Sequence, residues 1–315
     1  MPEFKRSQAK YVKKPDKVSN WSEYEKSLRQ RGSLTIWISD DAIDAWNSEK
    51  SGKLGAPEKY SNLAIETALT VRTIYNLRWR QTCGFIQSLF DLLLIDLDVP
   101  HHTTFSRRSK SLGNIKYIEQ GSLDKYLNLY IDSSGLSTHN GNRRKPSKNK
   151  SWRKFHIAVD GKGQIVASEL TSNKATDASR VKRLMSKVEK PLTSASADSA
   201  YDNNQVYSLL ADHLKNKNSK ILIPPKKNSI ASDKSHPQRN RNIRLRYRYG
   251  KRTWIKKSKY NLRNRVENTF FRYKQIIGPT LKARTLQGQR VEMQIGCKIL
   301  NTMTALGMPQ SSLRK

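Results

Sequence analysis

YLNLYID, residues 126–132, is the stretch on which the fold turns. Leu127, Leu129 and Ile131 alternate with Tyr130 and Asp132, the two-residue period of a strand with one buried face. Two more apolar runs follow, FHIAVD (155–160) and QIVASELT (164–171), on either side of Gly161-Lys162-Gly163. That arrangement reads as a β-hairpin. SASAD (194–198) and KILIPP (220–225) are two further short strands, the second ended by Pro224 and Pro225. Helical spacing covers 177–188, 203–214, 262–277 and 288–306. The order is three strands, helix, strand, helix, strand, then two helices. It predicts an α/β fold, a mixed sheet with flanking helices. Upstream the pattern is helical over 23–31, 40–50, 61–79 and 81–94, with a short basic helix from Thr103 or Thr104. Asn20 or Ser22 is expected to cap the first helix and Ser39 the second. Leu63, Ile65, Ala68, Leu69, Ile74 and Leu77 are candidate core. The expected division is a disordered basic arm (1–20), an all-helical domain (21–125), a sheet domain (126–225 and 260–309) and an irregular basic insertion (226–259).

Asp132 and Asp198 each stand at the expected end of a strand. An ionised carboxylate there is costly to desolvate unless a cation compensates it. A helix cap or a turn is the structural alternative, and placement alone leaves both open. The segment Tyr260-x2-Arg263-x3-Glu267-x6-Lys274 adds a third acid. At ~100° per residue these four side chains fall in one stripe about 60° wide. Val266, Phe270, Tyr273 and Ile277 cluster beside it. One helix therefore packs by an apolar stripe and presents a polar stripe at the edge of the same interface. A solvated face with an ion pair would have the same spacing.

The chain carries 60 Lys and Arg against 26 Asp and Glu, a net charge of +34. This excess points to a polyanionic partner, because each neutralised phosphate releases condensed counterions. The charge lies inside the chain. Residues 226–274 hold 17 Lys or Arg and only Asp233 and Glu267 as acids, and residues 143–154 add seven bases. Cys83 and Cys297 allow no disulfide framework and no zinc spacing. MPEFKRSQAKYVKKP lacks the apolar core of a signal peptide. The most apolar stretch, 85–99, is broken by Asp91, Asp96 and Asp98 and is too short to span a bilayer. A cytoplasmic, nucleoid-associated protein is expected.

Tyr260, Arg263, Glu267 and Lys274 match the Y-(2)-R-(3)-E-(6)-K motif of DDE transposases from bacterial insertion sequences. Ile131-Asp132-Ser133-Ser134-Gly135 and Ala197-Asp198-Ser199-Ala200-Tyr201-Asp202 resemble that family's first and second aspartate motifs. Asn20-Trp21-Ser22, Arg31-Gly32-Ser33-Leu34 with Trp37, Arg80-Gln81-Thr82-Cys83-Gly84-Phe85, Ser88-Leu89-Phe90, His102-Thr103-Thr104-Phe105-Ser106-Arg107-Arg108 and Trp152-Arg153-Lys154-Phe155-His156 are similar to segments of the insertion sequence five family. The likeness runs over roughly residues 20–309. One departure is Ser199, where the family usually has Gly. The resemblance implies an RNase H-like catalytic domain preceded by a helical DNA-binding domain. It implies Asp132, Asp198 and Glu267 as ligands of two Mg²⁺ or Mn²⁺ ions. Three carboxylates drawn together repel unless divalent cations neutralise them, and hard oxygen donors suit these ions. Water and then a freed 3′-hydroxyl would be the nucleophiles of phosphodiester displacement. Tyr260, Arg263 and Lys274 would sit on the DNA backbone. Double-stranded DNA, as terminal inverted repeats and target, is the implied partner, bound by a homodimer.

Other polar residues read as structural. Asp160 suits the hairpin turn, while Asp177 and Asp202 suit helix caps. His156 reads as packed, and His101 and His102 have no metal-spaced partners. Arg107, Arg108 and Lys110 on the short basic helix are candidate DNA contacts or a solvated face. The rival functions are a nuclease without strand transfer, a catalytically inactive repressor and an RNA-binding protein.

Overall fold

The computed structural model describes residues 16–49, 58–118, 122–138 and 152–313. The chain opens with strand β1 (Asp16–Val18), followed by helices α1 (Trp21–Gln30), α2 (Leu34–Trp37) and α3 (Asp40–Asp44). Then come α4 (Asn62–Ile74), α5 (Trp79–Leu92) and α6 (His102–Arg108). The sheet region holds β2 (Leu127–Thr138), β3 (Trp152–Val159), β4 (Ile165–Ser172), α7 (Val181–Met185), β5 (Leu192–Ala197), α8 (Asn204–Ala211) and β6 (Lys220–Leu222). Helices α9 (Pro237–Ser258) and α10 (Asn264–Ile276), strand β7 (Thr280–Leu281), helix α11 (Leu286–Leu306) and strand β8 (Ser311–Leu313) complete it.

The expected mixed sheet is present, in the order β4-β3-β2-β5-β6. β2, β3 and β4 are antiparallel, whereas β5 and β6 run parallel to β2. Gly163, at φ +88, closes the β3–β4 hairpin, where the left-handed region favours glycine. Leu127, Leu129 and Ile131 pack under Val181, Leu184, Val206 and Tyr207 on one face. On the other, Tyr130, Leu136, Phe155 and Ile157 pack under Val266, Phe270 and Tyr273 of α10 and Met293, Cys297 and Leu300 of α11. The alternation read in YLNLYID is thus the division between two cores, and both faces of the sheet are covered.

Four expectations need correction. First, the helices from α2 to α6 do not close a core of their own. Trp37, Trp46, Ile65, Phe90 and Phe105 pack with Val291, Ile295 and Ile299 of α11, so the C-terminal helix completes the N-terminal core. Second, the arm read as disordered over 1–20 includes β1, which pairs with β8; residues 1–15 lie outside the described residues. Asn20 precedes α1 without capping it, because its side chain bonds Met308 and Gln310. Third, the insertion over 226–259 is largely the helix α9, not irregular chain. Its Arg, Lys and Gln are good helix formers, but no apolar period betrays them. Pro237 starts it and Gly250, at φ +73, kinks it. Fourth, the helix expected over 61–79 stops at Ile74, where Asn76 turns left-handed at φ 54. Ser39 and Ser61 cap α3 and α4 by accepting from Ala42 and Ala64 backbone N–H. Ile65, Ala68 and Leu69 are buried, while Leu63, Ile74 and Leu77 are only partly so.

Candidate active site at the mouth between β2 and β5

Asp132 does not end its strand. β2 continues to Thr138, paired with β3 as far as Ser137; what stops is its parallel pairing with β5, at Ile131 opposite Ala197. β7 takes up that side only at Ser137. Among the described residues, no strand pairs β2 between those points on that side. The site opens in this gap. Asp132 sits on its edge, and Asp198, one residue past the end of β5, faces the same opening.

The polar helix stripe fills the mouth. Residues Tyr260–Arg263 form a 3-10 turn ahead of α10, not part of the one continuous α-helix expected from 262. Even so, all four motif side chains reach the gap. The Tyr260 hydroxyl donates to the Ala197 carbonyl at 3.1 Å, directly before Asp198. Arg263 Nη1 lies 2.7 Å from Asp132 Oδ2, and its Nη2 donates to Glu267 Oε1. Lys274 Nζ donates to Ser134 Oγ at 2.7 Å. A guanidinium fork suits this role because it holds two carboxylates at once.

The electrostatics follow from burial. Asp132 is pushed above the usual carboxylate range by desolvation and by the Asp198 charge, against the Ser133 N–H and Arg263, which favour its anion. Burial, with Asp198 and Asp132 nearby, drives Tyr260 up to about 12, so its phenol keeps its proton. For Arg263, burial is outweighed by Tyr260, Asp132 and Glu267, which strengthen its charge. Asp198 Oδ1 accepts from the Ala200 N–H at 2.8 Å and so orients the turn after β5. Ser199 is exposed within that turn and takes no left-handed φ. The departure from Gly therefore costs the backbone nothing.

Several side chains read as structural prove so, some by other means. Asp160 accepts from Lys162 and Gln164 N–H in the hairpin turn. His156 is buried, shares a hydrogen bond with Thr171 Oγ1, and is lowered to about 4 by burial. Asp177 does not cap its helix. It accepts from Ser133 Oγ at 2.6 Å and lies 3.1 Å from Lys154 Nζ, behind the strand that carries Asp132. Asp202 does not cap α8; Asn203 does. Asp202 is instead fully buried against Arg239 of α9, with Nε–Oδ1 at 2.8 Å. No local pattern signals that pair, whose members are 37 residues apart. Arg108 is also corrected as a DNA contact. It is buried, with Nη1 on the Tyr60 carbonyl and Nη2 on Asn62 and Glu58. Arg107 is exposed. The basic run that begins at residue 143 lies, up to 151, outside the described residues.

Carboxylate oxygens, which are hard donors, face the mouth. Two aspartates act on each other's charge, and Asp132 is poorly solvated as an anion. In this arrangement the Arg263 guanidinium is the cation shared by Asp132 and Glu267. Among the described residues no three His, Cys, Asp or Glu stand close enough together to ligate one ion, and no helix is long and apolar enough to cross a membrane.

Two family models described as "Transposase DDE domain" match residues 29–141 and 125–302. Similar solved structures include a Mos1 transposase paired-end complex with left transposon end, at 10% identity over 58% of this chain and 62% of that one, with a TM-score of 0.22. A pre-cleavage Mos1 transpososome matches at 9% identity over 71% and 81%, also with a TM-score of 0.22. This chain thus spans under two thirds of the first of these. The second domain match spans the sheet, both aspartates and α10, and by it the chain belongs to the transposase DDE domain family.

Proposed function

We propose that this chain is the transposase of an insertion sequence of the insertion sequence five type. It binds the terminal inverted repeats of its element and catalyses metal-dependent strand cleavage and strand transfer. One observation carries the reading: Arg263 joins Asp132 on β2 to Glu267 on α10, beside Asp198, at the gap where β2 has lost β5 and not yet met β7. Strand order and mixed direction agree with an RNase H-like catalytic domain.

Asp132, Asp198 and Glu267 would hold Mg²⁺ or Mn²⁺, as a pair of ions, which supply activation of the attacking oxygen and charge neutralisation at the leaving one. The chain's own residues do the rest. Tyr260 fixes the backbone at Ala197 and so aims Asp198. Arg263, when not paired with Asp132 and Glu267, offers a bidentate donor to the scissile phosphate. Lys274, anchored on Ser134, brings a point charge to the same edge. The exposed Arg107 and the basic helix α9 extend the cationic surface that duplex DNA requires. Joining two ends asks for a homodimer on DNA, working in the cytoplasm on nucleoid DNA.

The test incubates the full chain with duplexes carrying the repeats that flank its reading frame, Mg²⁺ and a target plasmid. Joined products are expected, and Asp132→Asn should bind the ends but neither cut nor join. Cleavage without joined product would favour the nuclease. Binding without cleavage in the unaltered protein would favour the repressor. Preference for structured RNA over the duplex, at matched salt, would overturn the DNA reading.

A further inference from the structure

A second cationic site lies away from the carboxylates, at the outer edge of the sheet. β4 is an edge strand. Between it, α7, α11 and the loop after α6 is a cavity of about 200 Å³. Lys110, Arg183, Lys187 and Arg290 line it, with Glu169 as its acid. Glu169 Oε1 lies 3.5 Å from Arg183 Nε, but its Oε2 is buried without a partner. Lys187 Nζ donates to the Ser168 carbonyl at 2.6 Å. Among the described residues the side chains of Lys110 and Arg290 have no ion-pair or hydrogen-bond partner, and both are exposed. Four cations against one carboxylate repel one another. Burial, with Arg183 and Arg290 nearby, lowers the Lys187 pKa despite Glu169. Holding such a group together is unfavourable without an anion, and focuses positive potential on the cleft.

Strand register fixes where the cleft stands. Asp132 pairs with Ile157, which pairs with Ser168; Ser133 pairs with His156, which pairs with Glu169. Two strand spacings of ~4.8 Å put β4 about 10 Å from β2, and the cleft lies beyond the outer edge of β4.

We infer that this β4-edge cleft is a backbone-binding site for the DNA duplex being cut, gripping phosphates with Lys110, Arg183, Lys187 and Arg290 across β3 and β4 from the carboxylates. Glu169 Oε1, 3.5 Å from Arg183 Nε, helps hold that guanidinium at the cleft. The inference rests on the proposed DNA substrate and adds a contact that neither the aspartate motifs nor α10 supplies.

The test is the salt dependence of binding to a short fluorescent DNA duplex, measured for the full chain and two charge-matched double variants. Lys110→Gln with Arg290→Gln removes two exposed cations that hold nothing else in the fold. Lys217→Gln with Lys220→Gln removes two exposed lysines at the opposite edge of the sheet, before and on β6. The plot of log binding constant against log salt should become shallower by about two for the first pair, near 0.9 per phosphate lost. It should not change for the second. Equal changes in the two variants, or an unchanged slope in the first, overturn the cleft. A wild-type chain with no salt-dependent duplex binding overturns the DNA reading itself, and the cleft with it. Thermal melting of the first variant should match the wild type, since neither side chain has an internal partner.

Discussion

Replacing Arg239 by Met tests how the basic helix is tied to the turn that follows β5 and Asp198. The Asp202 side chain is 0% exposed and that of Arg239 is 14%. Arg239 gives the carboxylate two donors, Nε at 2.8 Å and Nη2 at 3.3 Å. Ser229 Oγ at 2.6 Å and the Lys226 N–H at 3.0 Å give the rest. Met keeps much of the packing volume and removes only the cation, leaving a buried anion on two neutral donors. Breaking such a pair costs about 3–5 kcal/mol, whereas an exposed pair would cost under ~1 kcal/mol. Against a net stability of order 5–15 kcal/mol, that is a shift of roughly 5–8 °C in Tm for a chain of 315 residues. Burial alone would raise the Asp202 pKa, but Arg239, Ser229 and the Lys226 amide together hold it below the ordinary value. Its stabilisation is therefore present above the unfolded carboxylate pKa near ~4 and is lost as pH falls through the lower folded value. Urea and thermal unfolding at neutral pH, with limited proteolysis of residues 226–258, measure the effect. Asp202→Asn combined with Arg239→Met should recover part of the loss, because the stranded charge is gone. A single variant within about 0.5 kcal/mol of wild type, or a double variant no better than the single, would overturn the buried latch.

Arg263→Lys keeps the charge but cannot span Asp132 and Glu267, so strand cleavage should fall roughly 10- to 100-fold with folding intact, a loss of about 1.5–3 kcal/mol; full activity would show that bidentate geometry is not used. His156 is neutral when folded and depressed to about 4, so its stabilisation is full above the unfolded value near ~6.5 and drains as pH falls towards 4. Urea titrations of His156→Gln should therefore lose less stability between those pH values than wild type does; equal losses would mean that another group carries the dependence. Gly296 on α11 faces the buried Tyr273 ring, and a methyl added there would stand only 2.6 Å from the ring's hydroxyl oxygen, so Gly296→Ala should cost about 1–3 kcal/mol by overpacking; a thermal melt equal to wild type would show that the ring can move aside.

Features that repeat locally were legible along the chain before any fold was known. Alternation in residues 126–132 marked a strand between two cores, because side chains two apart share a face whatever covers them. The charge excess marked a polyanion partner, because it is a sum over residues and does not depend on their arrangement. The helix stripe marked Arg263, Glu267 and Lys274 as neighbours, because 3.6 residues per turn stack positions three, four and seven apart. Relations between distant segments emerged only on folding. β2 runs past Asp132 because β3 keeps pairing it after β5 ends. Tyr260 meets Ala197, and Arg263 stands between Asp132 and Glu267, across more than 60 and 130 residues of chain. Asp202 is buried against Arg239, Arg108 is used inside the N-terminal half, and α11 supplies the missing side of that half's core. An apolar period records that a face is covered, but not by which element. A charged side chain records even less, since its burial depends on a partner that only folding brings near.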